Sequence, residues 1–385
     1  MRQVWQFQAD RIEQVLASHK VPSRVTGADV APRLIRFHLL TPLGVKVRQV
    51  ANLAEEIALS LGASSCRVFR EEGRMEVEVP RPDGQVVPLE RVCRTLVAHA
   101  ASNSAAHDAQ TRRAVPPFTA VLGVDQQGAP LLLPLPSPNV AHVLIAGTTG
   151  SGKTALARSI IASLVMFNSR RALQLVLIDP KGRGFSPFAG LGHLLAPVIS
   201  RCDEALAMLQ RLIDEMERRD REGRSEPRLV VVLDELADLV QVGGKEMEAA
   251  LTRLTQRGRE AGIHVVACTQ KPTAAVIGGL VKSNFPVRLV GAVTSPEDAK
   301  VATGLAQTGA ERLLGQGDFL VVAQGTVTRM QAAYLSSEAA QALVERVNQA
   351  QGTIALGLKA PESGGKVGPE SALFDRVRSK LQLVR

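Results

Sequence analysis

Apolar positions recur every three to four residues over 7–19, which predicts an amphipathic helix, and again over 52–61. Between and after these helices, short runs over 33–40, 65–69 and 75–79 read as strands, punctuated by the turn residues Pro42, Gly44, Pro82, Asp83 and Gly84. The pattern then changes. From 118 to 335, wholly apolar runs at 143–146, 173–178, 229–233, 264–269, 287–292 and 319–323 alternate with helical stretches. Strands that are apolar on both sides are covered on both faces, so the series predicts a parallel, doubly wound sheet. Three regions follow: a small α+β domain over 1–112, an α/β catalytic domain over 113–348, and a tail over 349–385. A polar Ala/Ser-rich stretch at 98–113 marks the first boundary. The tail reads as a Gly/Pro/Ser/Lys-rich linker at 352–369 and a short basic helix at 371–385.

Composition narrows the function classes. No apolar run reaches the 18 residues that a membrane helix needs, and the first residues lack a signal-peptide core, so the chain is expected to be cytoplasmic with no anchor of its own. Cys66, Cys93, Cys202 and Cys268 are scattered without metal-ligand spacing and read as reduced thiols. Lys and Arg number 46 against 37 Asp and Glu, a formal charge of +9, which favours an anionic partner such as nucleic acid. Aromatic residues make up only 3%, which argues against single-strand binding by base stacking.

The chemistry concentrates at strand ends. Gly147, Thr148, Thr149, Gly150, Ser151, Gly152, Lys153 and Thr154 form G-x-x-x-x-G-K-T, directly after one apolar run and before a helical pattern. In that context the glycines let backbone N–H groups surround a phosphate at a helix N-terminus. Lys153 then reaches the β- and γ-phosphates of ATP, and the Thr154 hydroxyl ligates Mg²⁺. Asp234 and Glu235 end a second run, which brings both acids to the same phosphates. Asp234 suits the Mg²⁺ sphere, and Glu235 suits polarising the attacking water. Gln270, ending the run at 264–269, either senses the γ-phosphate, positions water, or merely closes its strand. Asp179 and Lys181 end another run on the same side, with a turn or ion-pair role set against direct contact.

Several strings resemble one family in order: HVLIAGTTGSGKT, LIDPKGRGFSPFAGLGHLLAPVISRCDEAL, VVVLDELADLV, LTRLTQRGREAGIHVVACTQKP and GAERLLGQGDFL are similar to the motor of the FtsK/SpoIIIE DNA translocases. Upstream, PRLIRFHLLTPLGVKVRQVANLAEEIALSLGASSCRV is similar to that family's α domain, so the likeness spans about 10–335. It implies a RecA-like P-loop NTPase domain preceded by a small α+β domain. It also implies a homo-oligomer, a ring of six subunits that threads double-stranded DNA, with ATP at the subunit interfaces. An arginine finger is implied, for which Arg257, Arg259 and Arg288 are candidates; Lys300 stands where the family usually carries arginine, and lysine cannot make the bidentate contact. Channel loops implied by the resemblance contain Lys245 and, further on, Lys271, Thr273 and Lys282, residues suited to phosphate tracking. The family's membrane segment and winged-helix γ domain are expected to be absent, although SALFDRVRSKL resembles the lead-in to the latter. Two rival functions stay open: a HerA-like or conjugative DNA-transfer ATPase, and a nucleotide-gated DNA-binding scaffold with little turnover. The process served is equally open among chromosome segregation, plasmid transfer and phage packaging.

Overall fold

The computed structural model describes residues 2–71, 73–102, 115–270, 284–350 and 382–384. They divide into two compact units, one built on residues up to Val86 and the other on residues from Val87 onward.

The first unit contains helices α1 (Arg2–Ser18), α2 (Val47–Ala51) and α3 (Ala54–Leu61) and strands β1 (Arg24–Val30), β2 (Leu34–Leu40), β3 (Arg67–Glu71) and β4 (Arg74–Pro80). The strands form an antiparallel sheet in the order β1-β2-β4-β3. Alternation works here as it should in a sheet with one covered face. Ile35, Phe37 and Leu39 of β2 and Met75, Val77 and Val79 of β4 join Ile12 and Leu16 of α1 and Ile57 of α3 in one core. The expected helix over 52–61 is shorter at its start, because Asn52 and Leu53 separate α2 from α3. Gly62 ends α3 at φ 62°, a left-handed position that glycine adopts without a Cβ clash.

The second unit begins with β5 (Val87–Pro88) and α4 (Leu89–Ser102). Then come β6 (Thr119–Asp125), β7 (Pro130–Pro134), β8 (Val143–Ala146), α5 (Lys153–Phe167), β9 (Leu173–Ile178), α6 (Cys202–Glu222) and β10 (Arg228–Leu233). They are followed by α7 (Leu236–Arg257), β11 (Ile263–Thr269), β12 (Val287–Val290), α8 (Pro296–Thr303), β13 (Asp318–Ala323), β14 (Thr326–Tyr334), α9 (Ser337–Gln349) and β15 (Gln382–Leu383). One sheet runs β15-β7-β6-β14-β13-β12-β8-β11-β10-β9, with β5 beside β14.

The sheet is mixed, which corrects the expectation of an all-parallel one. β9, β10, β11, β8 and β12 are mutually parallel, whereas β13 is antiparallel to both β12 and β14. Only Gln324 and Gly325 separate β13 from β14, at φ 50° and 76°, and a two-residue turn with positive φ at both positions can join antiparallel strands alone. The run at 319–323 is buried at every position. It therefore lacked the alternation that would have marked it apart from its parallel neighbours.

Both faces of the parallel part are covered, as the unbroken apolar runs require. Leu229, Val231 and Leu233 of β10 and Ile263, Val265 and Ala267 of β11 pack with Leu209, Leu212 and Met216 of α6 and Leu251 and Leu254 of α7. The intervening Val230, Val232 and Val266 are just as buried, on the face where α5 contacts β8 and β11. Burying a branched side chain in this way contributes roughly 1.5–3 kcal/mol. No helix among the described residues is long and apolar enough to cross a membrane. The expected linker at 352–369 and most of the helix expected at 371–385 lie outside the described residues. At the end of that stretch, Gln382 and Leu383 are extended and pair parallel with Leu131 and Leu132.

Candidate nucleotide site

β8 lies between β11 and β12, and β10 lies one strand further out. The carboxyl ends of β8, β11 and β10 are therefore side by side, and the loops leaving them share one crevice. The loop after β8 is held from three sides. Gly147 N–H donates to Thr269 O of β11 (3.3 Å), and Thr148 donates to Ala292 O through N–H (2.7 Å) and Oγ1 (3.0 Å). On the third side, Gln316 N–H donates to Gly150 O (2.9 Å) and Gly317 N–H to Ser151 O (2.8 Å). This last brace explains a glycine: a Cβ on Gly152 would lie 2.8 Å from Gly317 N, and its φ is already +102°.

The loop suits a phosphate. Gly152 occupies the N-cap of α5 and no side chain caps that helix, so the first-turn N–H groups face the crevice without a helical acceptor. Gly150 has open space where a Cβ would be. Lys153 is 6% exposed and its Nζ donates to Thr148 O at 2.9 Å. Burial holds its ammonium below the usual lysine range; Cys268, Glu235 and Asp234 act against that shift.

Asp234 and Glu235 follow β10 at the same edge. Glu235 is 5% exposed and takes φ 65°, a left-handed conformation that costs a non-glycine residue energy and must be enforced by its surroundings. Its Oε1 accepts from Gln270 N–H (3.0 Å) and Thr269 Oγ1 (3.2 Å), and its Oε2 faces Lys181 Nζ at 3.8 Å. Gln270 also ties the two arms of the crevice, since its Oε1 accepts from Thr149 Oγ1 at 3.1 Å. Asp234 is pushed up to about 6 by burial, then by the neighbouring charges of Asp179 and Glu235.

The loop after β9 forms a third wall, in which Asp179 takes the turn-bracing role and Lys181 the ion-pairing one. Asp179 turns both oxygens inward, accepting from Gly182 N–H (3.0 Å), Gly184 N–H (2.7 Å) and Phe185 N–H (3.0 Å). Arg158 of α5 donates to Gly184 O (2.6 Å) and Arg183 O (2.9 Å) from outside. A Cβ on Gly184 would come 2.9 Å from Asp234 Oδ2 and 3.1 Å from Thr154 Cγ2. Both the loop threonine and the strand-end aspartate therefore lie against this wall, so those two side chains are near neighbours. A glycine at fixed distance after the strand was the available signal, but nothing in the sequence says which two groups it meets.

Among the described residues, the remaining candidates make no bond to the crevice groups named above. Arg257 pairs with Asp220 (2.7 Å), Arg259 pairs with Glu260, and Lys300 is exposed on α8. Arg288 is partly buried, donating to Phe285 O and Ala302 O at 3.5 and 3.4 Å. Lys245 is exposed directly after Gly244, whose φ 60° and ψ −149° break α7. Lys271, Thr273 and Lys282 lie outside the described residues. The four cysteines are free thiols, and no cluster of three metal-ligating side chains occurs among the described residues.

Comparison with known proteins places this architecture. Residues 103–222 and 219–274 match the FtsK/SpoIIIE family, and residues 2–81 match the FtsK alpha domain. The DNA translocase FtsK of Sporosarcina ureae is 34% identical over 374 residues, covering 90% of this chain and 46% of that protein. The DNA translocase FtsK of Mycobacterium tuberculosis (strain CDC 1551 / Oshkosh) is 34% identical over 374 residues, covering 87% of this chain and 43% of that protein. The chain thus spans less than half the length of these curated relatives. Among solved structures, the pCW3 conjugation coupling protein TcpA, in monomer form with ATPgS, has a TM-score of 0.58 over 89% of this chain and 99% of its own. At 18% identity that likeness is one of fold. With an FtsK alpha domain followed by a P-loop α/β unit of matching sequence, the chain belongs to the FtsK/SpoIIIE family.

Proposed function

We propose that the chain is an ATPase motor that moves double-stranded DNA. One observation carries the reading: Lys153 and Thr154 on the β8 loop and Asp234 and Glu235 on the β10 end converge on one crevice, with Thr154 and Asp234 both close against Gly184. In this reading the N-terminus of α5 and the amides of Gly147 to Thr154 hold the ATP phosphates, and Lys153 exchanges its bond to Thr148 O for a phosphate oxygen. Thr154 and Asp234 would hold Mg²⁺, which would supply charge neutralisation at the phosphates. Glu235 takes the proton of the attacking water at Oε2, because Oε1 is already committed to Gln270 and Thr269. Gln270 reports the state of the crevice, since it touches both Thr149 and Glu235.

The finer parts of the reading follow the family. Six copies form a ring on the cytoplasmic side, each contributing a small N-terminal domain and the motor that follows it. Arg259 or Lys300 supplies positive charge to a neighbour's γ-phosphate, with Arg259 leaving its exposed pair with Glu260 to do so. Lys245, Lys271, Thr273 and Lys282 track backbone phosphates in the channel, which needs charge and no base reading.

The test is ATP turnover with and without duplex DNA across a salt series. Duplex should stimulate turnover at low salt, and the stimulation should fade as ionic strength rises. No stimulation at any salt would remove DNA from the reading. Displacement of a third strand from a triplex separates a motor from a DNA-binding scaffold: a third strand left in place while ATP is consumed rules out movement.

A further inference from the structure

The lysine of the β9 loop has no role in the reading above, yet the loop is built to present it. Asp179 fixes three backbone N–H groups inside the turn, and Arg158 fixes two carbonyls outside it. Lys181 projects from this braced turn to the far side of Glu235, with Nζ 3.8 Å from Oε2 and 3.5 Å from Asp238 Oδ2. We propose that Lys181 is a positioning residue for ATP hydrolysis: it fixes the direction of the Glu235 carboxylate and separates it from Asp238. The inference rests on the ATPase reading and adds a residue to it.

The argument is geometric. Glu235 Oε1 is held by two donors, so the carboxylate can still turn about that anchor unless Oε2 is also constrained. Asp238 lies in the first turn of α7, close enough to Glu235 that one ammonium reaches both carboxylates, and like charges at that range repel. An ammonium between them removes the repulsion and defines where Oε2 points. At 49% side-chain exposure, the lysine contributes little to stability through these pairs. Its value is orientation, because a general base must stand within hydrogen-bond reach of the water it deprotonates.

The test compares Lys181→Met and Lys181→Arg in the full chain, measuring kcat and KM for ATP together with nucleotide affinity from a fluorescent ATP analogue. Lys181→Met should lower kcat about ten-fold, with KM and analogue affinity changed less than about two-fold, and Lys181→Arg should recover most of the loss. Added to Glu235→Gln, the methionine should cause no further loss, because it acts through that carboxylate. An unchanged kcat overturns the proposal, and so does a raised KM with kcat intact, which would place Lys181 on the nucleotide. An equal loss on the Glu235→Gln background also overturns it. A wild-type chain with no turnover at all would instead sink the ATPase reading, and this inference with it.

Discussion

The two ends of the parallel strands bury titratable groups in opposite ways. At the amino ends, His142 and His264 are almost fully buried and neutral: His264 Nδ1 bonds Ala141 O (2.9 Å), and Val265 N–H donates to His142 Nδ1 (3.0 Å). Burial pushes them down to about 3 and about 4. At the carboxyl ends, the buried Lys153 and Glu235 lie beside the half-buried Asp234, and Glu235 is held in a left-handed backbone conformation. Groups at the amino ends are arranged so that no charge has to be buried. Those at the carboxyl ends put charge where burial opposes it, which stabilises nothing by itself and is explained by a ligand that would complete the cluster.

The largest break in this comparison should come from Glu235→Gln, which keeps the shape and removes the proton acceptor. Turnover should fall roughly a hundred-fold or more while binding of a fluorescent ATP analogue survives. Loss of binding in step with turnover would mean that Glu235 is structural.

A smaller effect, confined to the amino ends, is acid sensitivity. Both histidines have folded values below the ordinary 6.5, so the stability they contribute is full above about pH 6.5 and is lost as pH falls toward 4. By pH 5 each group should have cost about 2 kcal/mol. The urea midpoint measured between pH 7.5 and 5 should drop accordingly, and His264→Gln should halve the slope. A flat profile would show that the pair is not held neutral.

The smallest effect sharpens the contrast from the other side. Asp234 has a raised folded value, so its carboxylate penalises the fold above about pH 6 and the penalty disappears as pH falls toward 3.8. Asp234→Asn should therefore stabilise the nucleotide-free protein at pH 7.5 by about 1 kcal/mol, allowing for its partial exposure, and should add nothing near pH 4. The same variant should be defective in turnover. A destabilised variant would mean that the carboxylate makes a stabilising contact in the folded chain.

Much of this was legible along the chain. The loop from Gly147 to Thr154 announces itself because its function needs glycines, a lysine and a hydroxyl at fixed spacing on one continuous strand–loop–helix. Asp234 and Glu235 were legible as acids ending an apolar run. The small antiparallel sheet was visible in part through alternation in β2 and β4, although the polar, half-exposed β1 showed no comparable pattern. The mixed character of the large sheet was hidden because β13 is buried on both faces, and its turn at Gln324 and Gly325 carried the missing signal.

Local chemistry by itself determined the phosphate loop, the acidic pair and the covered strands, because each depends on neighbours in sequence. Only tertiary structure decided that Gly317 braces Gly152, that Gly184 meets both Thr154 and Asp234, and that Lys181 meets Glu235. Those contacts join β8, β9, β10 and the β13 lead-in, segments brought together by strand order, and strand order is set by which faces must be buried and not by any residue in the loops themselves.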